Sequence, residues 1–481
     1  MGATKNNSLS FYIHSAIVLI FMFLFRYLPA PEPLTAFGMN VLGIFIGAIY
    51  AWCTIGMIWP SILALILLGF SGYNTVIGCF GAAISNSTVL LIIFMCIFAT
   101  LAQVSGLTNY IANKIITMKI VNGRPWVLSF MLMVACTVAT ALVDSVPAIL
   151  ICWGFLYEVA EEAGYQKGDK WPLLMIIGIV SASIMGFSFF PFKVAVVANF
   201  GFLESAMGST VSYSYGAYML FNFIYAMINL VAYILVCKYI LRADVLKLQN
   251  FKIEKKEVPL DKRQKITIAL IVGLIICMLI PNFVPTTFWL SATLKAIGTT
   301  GIAVMFLGIA AFLRCDGEPY VNFAQLAAKG MPWDLVFMIS TALTLAGALV
   351  SQDSGLNAFI VKNVGGVLGA GSAIGFIVIF LVASAILTNL INNIVVSAIF
   401  IPIMYTFSTS LGFDPVPVVV LFIIVCNMAI LLPSSSPAGA MIHSNKEWVP
   451  GTSAIKYGFI FMIMSTLIAI CIGLPMLKIF F

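Results

Sequence analysis

The stretch Thr388-Asn389-Leu390-Ile391-Asn392-Asn393 stands between two apolar runs, Gly371 to Leu387 and Ile394 to Phe407. A buried polar group without a partner costs roughly 2–7 kcal/mol, so hydrocarbon is a hostile place for four amide or hydroxyl side chains. Such a cluster persists where it lines a cavity or binds something. An earlier stretch, Thr140-Ala141-Leu142-Val143-Asp144-Ser145, repeats the order: Thr, Leu, an aliphatic residue, then two small polar residues. It too lies between apolar halves. Two polar breaks of one design point to a membrane carrier.

Composition agrees. Of 481 residues, 62% are hydrophobic and 9% charged, far below the ~25% charged residues of soluble domains. The chain reads as an all-α polytopic membrane protein, multi-pass and integral, in a bacterial-type plasma membrane. Its net charge of +7 sits in short loops between apolar spans, which is a topology signal rather than a nucleic-acid footprint. The ten cysteines lie singly along the chain, and His14 and His443 are far apart. Neither pattern suggests a disulfide framework, a metal centre or a cofactor. The first apolar run, Phe11 to Ala30, is too long for a cleaved signal and reads as a retained span.

Placing apolar runs of about 20 residues predicts about 11 transmembrane helices plus two re-entrant hairpins. The expected organisation is an extra N-terminal span (1–30), a first repeat (31–241), a basic linker (242–265) and a second repeat (266–481). Each repeat holds a hairpin (about 126–160 and 371–410) followed by a broken helix (about 172–206 and 416–447). The linker carries eight Lys or Arg residues, among them Lys252, Lys255 and Lys256, and is expected in the cytoplasm. Trp126, Trp171 and Trp333 each follow a Lys or Arg closely and read as interfacial anchors on that side.

The repeat rests on two landmarks. Ser105-Gly106-Leu107 and Ser354-Gly355-Leu356 are 249 residues apart, and Thr140 and Thr388 are 248 apart. The first hairpin is flanked by Lys119, Arg124, Lys167 and Lys170, the second only by Lys362. Equivalent units with opposite charge bias imply inverted topology. The second arm of the first hairpin, read as Pro147–Val159, is short for a full crossing, which favours a re-entrant reading.

A hairpin that turns inside the membrane exposes the carbonyls of one half-helix and the N–H groups of the next. The first suit a small cation and the second an anionic group. Asp144 or Ser145 can cap the helix beginning at Val146-Pro147, and Asn392 or Asn393 the one beginning at Ile394. Such residues also serve as plain caps and interhelical bonds. An acid within a membrane, such as Asp144, is a functional site by default. Lys193 follows Pro191, and the second repeat has Pro433-Ser434-Ser435-Ser436-Pro437 at the matching place. Lys193 therefore reads either as a site residue or as a snorkelling lysine. Glu204 and Asp414 lie near span ends and read as solvated.

With paired polar-tipped hairpins, a Ser-Gly-Leu before each and a Pro/Ser-rich break after, the chain resembles the divalent anion:sodium symporters of the ion transporter superfamily. That family carries dicarboxylates, citrate or sulfate. The resemblance covers most of the chain after the first span. Its hallmark is a Ser-Asn-Thr tip with a Thr or Ser five residues before the Asn. Thr388 precedes Asn393 by five and Thr140 precedes Ser145 by five, but the tips read Asn392-Asn393-Ile394 and Asp144-Ser145-Val146.

The resemblance implies substrate contacts from Asp144, Ser145, Lys193, Asn392, Asn393, Ser434, Ser435 and Ser436. Sodium would be held by Thr140, Asp144 and Ser145 at one tip and by Thr388, Asn389 and Asn393 at the other. Lys193 beside the Asp144 carboxylate would replace one sodium ion. A homodimer in lipid and alternating access, with the hairpins moving past a scaffold, are also implied. Coupling to Na⁺ is the default, with protons or exchange as the alternative. An inorganic-ion carrier or antiporter, with Asp144 as the exchanging acid, is the main rival. An intramembrane enzyme lacks a nucleophile–base constellation.

Overall fold

The computed structural model describes residues 6–249, 259–359, 362–363, 372–433 and 435–481. Gly371, Ser434, Lys252, Lys255 and Lys256 lie outside the described residues. The chain before the linker forms α1 (Asn6–Leu19), α2 (Ala36–Thr54), α3 (Ile58–Phe70), α4 (Val76–Ser85), α5 (Ser87–Val104) and α6 (Leu107–Ile116). Then come α7 (Pro125–Leu142), α8 (Ser145–Glu162), α9 (Lys170–Phe187), α10 (Val194–Met207) and α11 (Tyr215–Leu235). After the linker follow α12 (Lys262–Phe283), α13 (Trp289–Phe312), α14 (Phe323–Gly330) and α15 (Trp333–Val350). The chain ends with α16 (Ala373–Leu387), α17 (Asn393–Leu411), α18 (Pro415–Cys426), α19 (Pro437–Ser444), α20 (Ser453–Ile468) and α21 (Leu474–Phe480). A two-residue ribbon, β1 (Arg314–Cys315) with β2 (Glu318–Pro319), turns between α13 and α14. Neither this ribbon nor α4 and α14 is anticipated by the apolar runs.

Among the described residues, eleven helices are long and apolar enough to cross a membrane. The fold is an all-α polytopic membrane protein. Two of the eleven, α7 and α17, are hairpin arms in the sequence reading. The arm read as Pro147–Val159 is longer in the structure: α8 has 18 residues, about 27 Å at 1.5 Å per residue. Arm length therefore does not separate a re-entrant hairpin from two crossings.

Local signals set the boundaries. Thr35 caps α2 by accepting from Gly38 N at 3.0 Å, and Asp261 with Gln264 forms a capping box on α12. Both Ser-Gly-Leu landmarks adopt one conformation: Gly106 and Gly355 are left-handed, with φ of 73° and 67°, a region that glycine enters without strain. The described elements also run in parallel order. Each half has a span, a Ser-Gly-Leu turn, two arms, a helix, a break and a shorter helix.

The core centres on α9, of which 89% is buried. It packs between α7 and α8, with α11 and α20 closing its other sides. Gly186 permits the α7 approach, since a Cβ there would stand 2.2 Å from the Thr137 carbonyl oxygen. The Thr137 hydroxyl donates to Ala182 O at 3.0 Å, pinning the two helices. Trp171 departs from the sequence reading. It is fully buried and donates to Ser129 Oγ at 2.9 Å, so it faces protein rather than the surface. Trp333 is exposed, as an anchor would be. In the other half α18 is buried from Val418 to Cys426 and packs on α16 and α17. The halves interlock: α10 lies against α17, and α19 touches α8.

Candidate functional site

The first tip is two residues long, Val143 and Asp144, between Leu142 and Ser145. Asp144 is the N-cap of α8, and its carboxylate accepts from Ser145 N at 2.7 Å. The adjoining break, Ser188 to Lys193, ends where Lys193 becomes the N-cap residue of α10. Its ammonium turns back toward α7, donating to Thr140 O and Val143 O at 2.9 Å each. These are orphan carbonyls at a helix C-terminus, where the macrodipole is negative. A fixed ammonium thus holds the carbonyls that would otherwise suit a small cation.

The sequence suggests Asp144 as the partner of Lys193. In the structure no Nζ–O contact within 4.0 Å joins them, since the described ion pairs are Lys167–Glu447, Lys247–Asp169 and Lys262–Asp316. Both side chains instead line one cavity of about 380 Å³. Asp144 is exposed to it, whereas Ser145 is half-buried and Thr140 fully buried. The cavity wall is mainly apolar, with polar groups converging from Thr100, Gln103, Asp144 and Lys193. Its walls come from α5, α12, α15 and Pro437 at the start of α19 as well as the tip. That volume falls in the roughly 300–1,000 Å³ range of small-molecule pockets.

The second tip has similar backbone logic without a charge. Asn392 caps α17 by accepting from Ile394 N at 2.9 Å, and Asn393 Oδ1 accepts from the same N–H at 3.0 Å. Asn393 Nδ2 donates to Asn427 Oδ1 at 2.7 Å, across to the break after α18. The Thr388 hydroxyl donates to the Cys426 carbonyl. Asn389 is a brace: Oδ1 accepts from Ile430 N and Leu431 N at 3.0 and 2.9 Å, while Nδ2 donates to Ala385 O. Its amide oxygen is committed to backbone. The Thr388 hydroxyl and the Asn393 and Asn427 side-chain oxygens are neutral hard donors, a set that suits Na⁺.

In the second break Ser435 is fully buried and donates to Leu432 O at 2.7 Å. Ser436 caps α19, accepting from Gly439 N at 3.0 Å and donating to Ala429 O at 2.5 Å. Ser434 lies outside the described residues. The structure brings Asp144, Lys193 and Pro437 to one cavity and links Thr388, Asn389 and Asn393 to the second break. Ser145, Asn392, Asn393, Ser435 and Ser436 do not line that cavity.

Sequence reasoning missed Cys426 and Asn427, which receive the second tip, and the walls from α5, α12 and α15. A polar Cys-Asn pair ending an otherwise apolar α18 was the available signal for the first. No local signal marks the walls, because their depth depends on packing.

A family model for citrate transporters matches residues 48–425, most of the chain. The chain belongs to the citrate transporter family. It is a transporter, not an enzyme. An uncharacterised transporter of Methanocaldococcus jannaschii is 28% identical over 137 residues, 28% of this chain and 30% of that protein. A protein of Caenorhabditis elegans named sodium-dependent low-affinity dicarboxylate transporter 1 is 29% identical over 117 residues, 24% of this chain and 19% of that protein. The matched stretches thus span less than a third of either relative. Two solved structures share the fold at 15% identity. The YdaH transporter of Alcanivorax borkumensis has a TM-score of 0.59, with 97% of this chain and 98% of that one covered. MtrF of Neisseria gonorrhoeae, described as an antimetabolite efflux pump, has 0.58, with 96% and 93% covered.

Proposed function

We propose that this transporter is a secondary-active carrier of small di- or tricarboxylates, working by alternating access between two inverted repeats. The observation that carries the reading is the seat of Lys193. The half-buried Lys193 sets its ammonium on the carbonyls of α7 and opens onto a 380 Å³ cavity beside the N-terminus of α8. A carboxylate ligand there would meet a positive side chain and the partial positive charge of a helix start. The parallel element order, the two left-handed Ser-Gly-Leu turns and the crossed packing of α10 on α17 and α19 by α8 support the inverted-repeat reading. Both hairpins would be re-entrant, the linker cytoplasmic, and the hairpin-bearing unit would move past a scaffold containing α5, α12 and α15, as a homodimer in lipid.

In this reading Lys193 stands where one coupling cation would sit at the first tip, and Na⁺ would bind at the second, on Thr388, Asn393 and Asn427. Ser145, Asn392, Ser435 and Ser436 would complete the substrate chamber only after a shift that joins the tips. A second reading, proton or inorganic-ion exchange on Asp144, is favoured by its carboxylate facing the cavity without an ion-pair partner.

The test is uptake of labelled succinate, citrate and sulfate into proteoliposomes under separate Na⁺ and pH gradients. Na⁺-driven uptake of a carboxylate, lost in Asn393→Ala, is expected. Proton flux with no uptake of any of the three would replace the proposal by exchange on Asp144.

A further inference from the structure

A second, smaller cavity lies directly beyond the first. It measures about 120 Å³ and is lined by Ser87, Thr88 and Leu91 of α5, by Glu204 and its helix α10, and by Tyr213, Tyr215, Thr299 and Thr300. Along α5 the two cavities are stacked, the small one at Ser87–Leu91 and the large one at Met95–Gln103, one helical turn on. The Gln103 end adjoins the linker side, where Gly106 O accepts from Gln264 of α12. The small cavity therefore faces the opposite end of the bundle. Phe192 lines both, stacked on Phe190 with ring centroids 5.0 Å apart. It is the partition between them.

The sequence reading leaves Glu204 solvated. In the structure it is half-buried, because α10 turns Val197, Phe200, Gly201 and Glu204 onto one face, at i, i+3, i+4 and i+7. The carboxylate accepts from Val211 N at 3.0 Å and forms none of the described ion pairs. A half-buried carboxylate keeps only part of its hydration, and a cation or further donors would offset what it loses. Other oxygen groups line the same cavity. Thr88 meets α10 at Gly201, where an added Cβ would lie 2.9 Å from Oγ1. Ser87, Thr299 and Thr300 add hydroxyls, and Tyr213 and Tyr215 are the other titratable groups facing it. Among the described residues, no Lys or Arg lines the cavity. Its volume is far below the roughly 300 Å³ at which organic-ligand pockets begin.

We propose that the Glu204 cavity is a cation site, the station of a monovalent ion on the face opposite the linker, partitioned from the substrate cavity by Phe192. The proposal rests on the carrier reading. It accounts for a difference between the cavities: the first holds its cation covalently as Lys193, whereas the second offers a carboxylate and hydroxyls with no built-in counter-charge. Glu204 lies 11 residues beyond Lys193, about 16 Å along α10, so the two positive stations are separated along the transport axis.

The test is ion binding rather than uptake, so it reports even if no carboxylate is transported. Purified full-length protein, wild type and Glu204→Gln, is titrated with radioactive ²²Na⁺ at pH 8, and proton release is followed on a jump from pH 5 to pH 8. Glu204→Asp and a size-exclusion profile control for folding. Loss of one bound Na⁺ in Glu204→Gln, retained in Glu204→Asp, supports the site with Na⁺ as occupant. An unchanged Na⁺ count with one fewer proton released supports it with a proton as occupant. If a folded Glu204→Gln protein matches the wild type in both measurements, the site does not exist.

Discussion

Replacing Lys193 by methionine should turn a fixed positive charge into a sodium requirement. The side chains have similar length, so the change removes the ammonium without opening a large cavity. Two opposed terms result. The substitution leaves the oxygens of Thr140 and Val143 without their 2.9 Å donor, and orphaning a buried acceptor costs about 1–3 kcal/mol, or about 2–6 for the pair. It also relieves the partial burial of an ammonium, which acts in the opposite direction. Because the terms oppose each other, the melting temperature in sodium-free buffer is a poor readout. Sodium dependence decides. The vacated carbonyls sit at the negative end of α7, and a Na⁺ ion bound there at 100 times its dissociation constant would stabilise the fold by about 2.7 kcal/mol. The assay is thermal unfolding in detergent, with NaCl exchanged for choline chloride at constant ionic strength. Lys193→Met should gain a sodium-dependent rise in melting temperature beyond that of the wild type, and Lys193→Arg should not. An identical sodium response in Lys193→Met and wild type would refute the idea that the ammonium occupies a cation position.

Two further outcomes follow from particular contacts. Asn389→Ala should destabilise the protein by about 2–6 kcal/mol, because it orphans the buried N–H groups of Ile430 and Leu431 at about 1–3 kcal/mol each; Asn389→Asp keeps the oxygen that accepts both bonds but loses the donor to Ala385 O, and should recover only part of the loss, as read by tryptophan fluorescence during unfolding. Glu447→Gln removes the exposed ion pair with Lys167, whose hydrogen bond and charge hold the Glu447 carboxyl below its usual range while Glu447 raises Lys167. The pair's contribution is present above the ordinary carboxylate pKa of about 4.3, is lost as pH falls through the lowered value, and persists on the alkaline side past the lysine value of about 10.4. The melting difference from wild type should therefore be small, level between about pH 5 and 9, absent in strong acid and suppressed by about 1 M salt; a difference that grows toward acid would contradict it.

Much of this protein was legible in its sequence because hydrocarbon leaves a chain few options. Apolar runs of membrane length must be helices, so the spans were readable to within a few residues at most ends. Polar residues inside such runs need partners, so Thr140–Ser145 and Thr388–Asn393 stood out as two tips, and the Ser-Gly-Leu turns tied them into one repeated order. Side-chain partners at a distance were another matter. Lys193 was legible as a charge at a break, but its choice of the α7 carbonyls over Asp144 depends on how closely α9 approaches α7 at Gly186. Glu204 looked solvated because position along a chain says nothing about what covers a helix face. The segment from Tyr213 to Tyr215 and the start of α5 close over it only in three dimensions. Trp171 carries the local marks of an interfacial anchor, yet its side chain packs inward on Ser129. The sequence by itself determined the class, the helices and the two polar tips, since these follow from solvation of single segments. The tertiary structure alone decided the cavity walls, the Phe192 partition and the partner of each buried charge, because those depend on the relative depth and rotation of helices far apart in the chain.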